Sequence, residues 1–523
     1  MADKDELTVS PASNDVEKSG AVDESVIEEK SRLRIDDEAG DLAAAALTSG
    51  PVDPEVSKRV LRKIDMYILP FLCITYALQF IDKTSLSYSS VYGIIKDANL
   101  QGQDYSWASS IFYFGYLLAE YPGVAIIQRF PVAKFLGLNI ILWAAILMTT
   151  AACTSFASLA AVRFLLGVTE ATISPGFVAI TGIWWTRHEQ AARSALWISF
   201  LGVGSLLGGL IAFGIGHISP TSTLASWQYI FLILGAVTVA WGVLFVLVVP
   251  DGPAAPSCRW LSPAERVVAV QRVVDNRTGT KSRTFVRAQV VEAACDPKVV
   301  LLGCISLVNA LASGGLAFGS LIIQGFGFSP LQTTLMNMPL AAVQTVAQLS
   351  AGVFASRFEG ARLYVGAVAM VPPIVGTCLI NGLAEGQRWG RLVGLWLLGT
   401  YPVGFLVLLG LLSTNVAGST KRSVASGWVF VCYCVGQIAG PQCFKASEAP
   451  GYRSGIVAML CGFVLNLVLN LVLRWLYVRE NKKRDKLLEG KSEEEIQAME
   501  EESKVQGFEN VTDKENVMFR YVL

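Results

Sequence analysis

Twelve times along this chain the sequence runs apolar for about as long as a bilayer is thick. A helix needs roughly 17–25 such residues to cross ~30 Å of hydrocarbon, and the stretches fall at about 66–87, 106–127, 135–154, 157–181, 194–216, 227–249, 299–322, 332–354, 363–381, 391–413, 423–444 and 455–477. Lipid offers no partner to a backbone amide, and the runs are about twice the length of a barrel strand, so helical spans are predicted throughout. The fold class this dictates is an all-α membrane protein of twelve transmembrane helices. With 53% hydrophobic and 16% charged residues, the chain has too little polar surface for a soluble enzyme.

The formal net charge of zero hides a partition. Residues 1–50 carry 13 acidic and 5 basic side chains, 478–523 carry 12 and 9, and the middle holds 17 and 28. The basic excess sits in short loops. Lys58, Arg59, Arg62 and Lys63 precede span 1, Arg129 and Lys134 follow span 2, and Arg187 and Arg193 follow span 4. Arg357 and Arg362 follow span 8, and Lys421 and Arg422 follow span 10. The intervening loops 3–4, 5–6 and 7–8 have no Lys or Arg, which places the basic side and both termini in the cytoplasm and argues for membrane orientation rather than nucleic-acid binding. Arg388, Arg391, Lys445 and Arg453 run against this trend. The N-terminus lacks an apolar signal segment, so the first span is expected to serve as an uncleaved insertion signal.

Five regions follow: an acidic disordered tail (1–57), a six-helix half (58–250), a cytoplasmic linker (251–298) with an amphipathic helix from Pro263 to Val274, a second six-helix half (299–477), and a charged tail (478–523). In that tail Lys482 to Asn516 reads as a helical, solvated or regulatory segment. The sequons at Asn276 and Asn510 fall on the cytoplasmic side and are expected to be unused. A shift of about 228 carries Lys134 onto Arg362, Arg163 onto Arg391, Gly176-Phe177 onto Gly404-Phe405 and, with one residue of slack, Arg193 onto Arg422. Related halves with a site between them are the mark of alternating access.

Several segments have a familiar look. They are Arg62-Lys63-Ile64-Asp65, Phe80-Ile81-Asp82-Lys83, the run Gly115 to Pro122, Arg163-Phe164-Leu165-Leu166-Gly167 with Glu170, Trp184-Trp185 to Arg193, Trp227 to Phe231, the run Asn415 to Arg422, and Gly440-Pro441-Gln442. Over about 58–480 the chain resembles the major facilitator superfamily, specifically the fungal allantoate permease branch of the anion:cation symporters. The resemblance implies a transporter, with allantoate, ureidosuccinate, nicotinate, pantothenate or a dipeptide as candidate substrates. Lys83 stands where that branch usually has Arg, which replaces a planar fork by a point charge. The loop after span 2 lacks the Asp-Arg core of the superfamily motif but keeps basic ends in Arg129 and Lys134.

A charge at mid-membrane costs ~2.5–3.5 kcal/mol on the gentlest scale and needs a partner or a wet cavity. Lys83 and Arg163 are read as presenting positive charge to an anionic substrate, with Asp82 balancing them. Glu170, Glu120 and Asp82 are the candidate proton sites, since a carboxylate in a desolvated span is suited to load and release a proton. Tyr76 and Gln79 on span 1, Asn337 and Gln344 on span 8, and Tyr433 and Gln437 on span 11 supply neutral contacts. The same residues also suit a fixed ion-pair and hydrogen-bond network between helices, and both readings stand. Arg129, Lys134, Arg187, Arg193, Arg357, Arg362, Lys421 and Arg422 are candidate gating-loop residues. Gly202, Gly204, Gly208 and Gly209 read as a close-packing face.

With only His188 and His217 and no CxxC, no zinc site is expected, and no cofactor is called for. Most of the ten cysteines lie in apolar runs, where a thiol acts as a small hydrophobe. The expected partners are a small organic anion, a proton and the bilayer, for a monomer in the plasma membrane. Proton-coupled uptake is the leading expectation; export of a secondary metabolite and a transporter-like sensor are the alternatives.

Overall fold

The computed structural model describes residues 53–218, 223–255, 257–274, 286–358, 360–489, 491, 492, 495, 499 and 510–523. The acidic stretch 1–52 and the Asn276 sequon lie outside them, as does the side chain of Arg187. Among the described residues are twelve helices long and apolar enough to span a membrane. They are α1 (Pro54–Val91), α2 (Asp104–Ile127), α3 (Val132–Ala152), α4 (Phe156–Trp184), α5 (His188–Ile215), α6 (Ser226–Val248), α7 (Pro297–Gly325), α8 (Pro330–Ala355), α9 (Arg362–Gly382), α10 (Arg388–Asn415), α11 (Ser419–Gln442) and α12 (Arg453–Leu488). We call the face where α1 begins and α12 ends the terminal face, and the opposite one the far face.

Local chemistry sets the ends. Asp53 caps α1 by accepting from the Glu55 amide, and Pro54 occupies the first turn, where its missing N–H is not needed. The helix therefore starts before the apolar run and before the boundary drawn at 58, with Val60 and Ile64 buried.

Packing partners repeat between the halves: α1 with α5, α2 with α4 and α3 with α6 in the first, and α7 with α11, α8 with α10 and α9 with α12 in the second. Small residues permit the closest approaches. A Cβ on Gly204 would press on the backbone of Ala77 in α1, and one on Gly202 would collide with Thr345 in α8, so α5 packs tightly on both sides as small-residue helix faces do.

Two spans are broken at equivalent places. In α4 the helix divides into Phe156–Glu170 and Ile173–Trp184, because Pro175 has no N–H to give the carbonyl four residues back. In α10, Pro402 follows a 3-10 turn at Leu398–Thr400. The repeat shift carries one proline onto the other within a residue.

The halves meet near the far face. Tyr105 donates to the Ala317 carbonyl at 2.8 Å, Ser110 to that of Ile438 at 2.8 Å, Gln442 to Ser110 at 3.0 Å and Ser87 to Ser320 at 3.0 Å. Phe318 stacks on Phe444 at 4.7 Å and meets Tyr105 edge-on at 5.1 Å, plugging that side. On the terminal face each half has its own cover. The linker helix Pro263–Val274 is tied to the first half by Lys63–Glu265 at 2.7 Å and Arg272–Glu189 at 2.6 Å. The helix Arg287–Cys295 and residues 510–523 lie on the second half. The charged tail thus departs from the expected helix over Lys482 to Asn516. Helix α12 ends at Leu488, and Asn510–Asn516 forms turns with Thr512 and Asp513 buried.

Candidate functional site

The break in α4 places Glu170 at the end of its first segment, where its backbone carbonyl accepts from Gln79 Nε2 at 3.3 Å. Its carboxylate, 1% exposed, lies 3.7 Å from Lys83 Nζ, and the Lys83 side chain is 25% exposed. That partial exposure leaves the Lys83 ammonium accessible although it lies within the first span. Lys83 Nζ also lies over the rings of Phe112 at 5.5 Å and Tyr116 at 5.2 Å, an attraction a cation gains on the negative face of a π-system.

Beside this pair sit two buried charges without a direct partner. Arg163 is 5% exposed and Asp82 1%. Neither carboxylate oxygen of Asp82 makes a hydrogen bond within the protein, nor does Arg163 Nε, and Arg163 has no ion pair among the described residues. Asp82 lies near Trp143 and within electrostatic reach of Arg163 and Glu170. Glu120, one turn from Tyr116 toward the terminal face, has a buried oxygen without a partner and lies within electrostatic reach of Lys83. Along their helices Arg163 lies nearest the far face in α4, Glu170 two turns deeper in the same helix, Asp82 and Lys83 adjacent to each other in α1, and Glu120 nearer the terminal face in α2. Buried charges left unpaired are costly, and a ligand, a proton or water is what such an arrangement accommodates.

Close backbone contact between α2 and α4 holds this arrangement. A Cβ on Gly167 would collide with the Phe112 carbonyl, and one on Gly115 with that of Phe164. Gly167→Val is accordingly expected to push α4 off α2, separate Lys83 from Glu170 and reduce transport by an order of magnitude or more, measured per molecule of surface-expressed protein. Unchanged transport would show that the α2–α4 distance does not matter to the site.

The other sequence-selected residues fall in different places. Tyr76 faces the site, 3.4 Å from Ser174 Oγ and edge-on to Trp197 at 4.8 Å. Asn337 donates to Ser320 at 3.1 Å and to the Thr333 carbonyl at 3.2 Å, so it supports the far-face contact rather than the charged group around Lys83. Gln344 is buried where α8 meets the α10 break at Gly399. Gln437 donates to Ser313 within its own half at 2.7 Å.

Several of the loop cations are held within their own half. Arg193 pairs with Asp65 at 2.8 Å and Lys134 approaches Asp251 at 3.8 Å. Lys421, read from the sequence as a gating-loop cation, is fully buried against carboxylates of the second half and its covers. Arg422 donates to the Val416 carbonyl at 2.9 Å and Arg362 approaches Thr414 at 3.5 Å, while Arg129 and Arg357 are exposed.

Of the aromatic wall beside Lys83, only Tyr433 stands out in the sequence. Tyr116 packs on Phe430 at 5.7 Å, Tyr113 meets Tyr433 at 6.1 Å, and Tyr433 meets Phe405 at 5.2 Å. Aromatics are common in spans, so composition does not mark the others. The paired prolines Pro175 and Pro402 do carry a signal, because interrupted helices in corresponding positions point to a binding site.

Two six-helix halves, in contact near the far face and carrying charged side chains within their spans, form the architecture of a secondary transporter. The pattern of the Major Facilitator Superfamily matches residues 72–441, and the chain belongs to that family. An uncharacterised transporter of Schizosaccharomyces pombe is 38% identical over 89% of this chain and 87% of its own. The allantoate permease of Saccharomyces cerevisiae is 33% identical over 90% and 88%, and a thiamine pathway transporter of the same yeast 33% over 98% and 99%. These relatives are transporters, not enzymes. Among solved structures, a bacterial homologue of the human lysosomal transporter Spinster, inward-facing and unoccupied, has a TM-score of 0.61 at 15% identity, covering 82% of this chain and 99% of that one. The xylose transporter of Escherichia coli, partially occluded and inward-open, has a TM-score of 0.61 at 12% identity, covering 78% and 96%.

Proposed function

We propose that the chain is a proton-coupled importer of a small organic anion, of the allantoate, ureidosuccinate or vitamin-like carboxylate class. The observation that carries this is Lys83. It is a part-exposed cation at the centre of the bundle, with Glu170 as its only ion-pair partner among the described residues. An anion reaching Lys83 competes with Glu170 for it, and a Glu170 released from its counter-charge takes up a proton, which couples the two ligands through one contact. Arg163 and Asp82 provide the second charge pair for the substrate or a relayed proton, and Glu120 the exit toward the terminal face. The aromatic wall favours a flat carboxylate whose body lies on rings while its charge meets Lys83.

The loop cations favour a cytoplasmic terminal face, and in this reading the far face is the exterior of the plasma membrane. The far-face closure is then an inward-facing state, the one that releases imported cargo. One uptake screen of labelled carboxylates in cells expressing the chain tests this reading, with sugars and amines as controls. Lys83→Arg is expected to keep the accumulated anion's KM within about threefold or lower it, because a planar fork meets a carboxylate bidentately, while Lys83→Ala raises it tenfold or more. Accumulation of neutral or cationic solutes only, with KM indifferent to Lys83→Ala, would overturn the anion assignment.

A further inference from the structure

The segment after α12 returns to the protein and docks. Residues 510–523 run across the terminal face of the second half. The Val522 amide and carbonyl bond Asn415 at the end of α10, each at 2.8 Å, and Tyr521 does the same with Asn481 on the extension of α12. The Leu523 carbonyl receives the Arg362 amide at the start of α9 at 3.0 Å, and the Asn510 side chain receives the Ser419 amide at the start of α11 at 2.5 Å.

At the centre of this surface is Lys421, 0% exposed. Its ammonium touches Asp513 at 2.7 Å, Glu292 at 2.8 Å and Asp296 at 2.9 Å. Lys298, at the start of α7, approaches Asp513 at 3.5 Å and donates to the Tyr521 hydroxyl, which in turn donates to Asp513 at 2.7 Å. Arg484 bonds the Phe519 and Asp513 carbonyls. Two lysines, Lys421 and Lys298, thus face three carboxylates, Glu292, Asp296 and Asp513; Asp513 is supplied by the returning segment, which also brings Lys514 to 3.8 Å from Asp296, while Arg484 holds the segment's backbone. Burial alone would push the Asp513 carboxyl up, but Lys421, Tyr521 and Lys298 outweigh it and hold it below the usual carboxylate range, so it is charged at neutral pH.

The first half shows what this segment corresponds to. There Arg193 at the start of α5 meets Asp65, as Lys421 at the start of α11 meets Asp296. The residues following α6 cap the start of α3 through Asp251, which accepts from the Ala133 and Lys134 amides at 2.9 and 3.1 Å, as Leu523 caps the start of α9. In the first half the capping residues lead directly into the linker. In the second they are reached only after the chain has left α12 at Leu488, so the cap is a tethered peptide on a receptor surface.

The geometry points to a binding site for this chain's own C-terminal segment: residues 510–523 act as a detachable strap, with Lys421 and Lys298 as its receptor residues. While seated, the strap fixes the terminal-face ends of α7, α9, α10, α11 and α12 as one body, so that the second half moves as a unit against the first. Withdrawing it takes Asp513 from both lysines, leaving Lys421 with Glu292 and Asp296 and Lys298 with Asp296 alone at 3.7 Å, and breaking a buried charge contact in this way is destabilising.

The test uses the full chain with a specific protease site placed between Lys491 and Asn510, cut after folding and purification. The cut wild-type strap is expected to stay with the protein through gel filtration, and an excess of synthetic 510–523 peptide to exchange with it. The same peptide carrying Asp513→Asn should compete at least tenfold less well, a comparison that does not depend on any protein variant folding. Spin labels on Lys482 in α12 and Ser423 in α11, both exposed, should show one narrow distance with the strap bound, and a broadened one once it is washed out. A melting temperature about 5–10 °C lower should accompany the loss. A cut strap that falls away at once, peptides that compete equally, or an unchanged distance distribution after release would each overturn the strap.

Discussion

Arg163→Ala is expected to abolish transport while leaving the protein in the membrane in measurable amounts. Arg163 is buried without an ion pair among the described residues, and its Nε makes no hydrogen bond. Its charge therefore contributes little that the fold uses and much that an incoming anion or a proton on Asp82 would use. Truncating a desolvated charge that a ligand contacts costs ~2–5 kcal/mol, a fall in affinity of roughly 30-fold or more. Uptake per surface molecule, with expression read separately, checks this. Transport at the parent rate would remove Arg163 from the site. Normal transport per molecule from a much smaller surface pool would make its role one of assembly.

The second large effect belongs to Glu170, the only acidic residue deep in α4, without an acidic counterpart in the second half, where the repeat shift lands on Leu398. Glu170→Gln mimics the permanently protonated carboxyl and removes the ionic hold on Lys83. Uptake driven by an inward proton gradient is expected to fail, while exchange of labelled for unlabelled substrate persists, because exchange needs no deprotonated return of the empty carrier. A Glu170 that only braced Lys83 would affect both modes together. Proton-driven uptake measured beside counterflow in reconstituted protein separates the two cases. Preserved pH-dependent accumulation would shift the proton site to Glu120 and then to Asp82.

The fold is legible in the sequence because lipid leaves a long apolar run few alternatives, and each of the twelve runs is a helix. Helix ends are less legible where side chains rather than hydropathy set them. Asp53 and Pro54 start α1 before its apolar stretch, and α12 outlasts its own on charged residues to Leu488. At the site, the charged residues stand out because charge inside a span is expensive. Which of them touch is not readable from depth alone. Lys83 and Arg163 have similar depths, yet it is Glu170, two turns deeper than Arg163 in α4, that lies 3.7 Å from Lys83. Asn337 has the right helical spacing but the wrong height, with its amide spent on Ser320. The burial of Lys421 depends on Asp513, some ninety residues away in a segment whose composition reads as solvated, and no local pattern reports such a pairing.

The central claim is that proton entry and anion entry are one event at the Lys83–Glu170 contact. Purified protein in liposomes loaded with a pH-sensitive dye, under an inward proton gradient, tests it most directly when labelled allantoate and the other accumulated carboxylates are added. The expected result is internal acidification in step with anion uptake, lost in Glu170→Gln and absent when the proton gradient is collapsed beforehand. Accumulation of the carboxylate that continues without a proton gradient and moves no protons would contradict it.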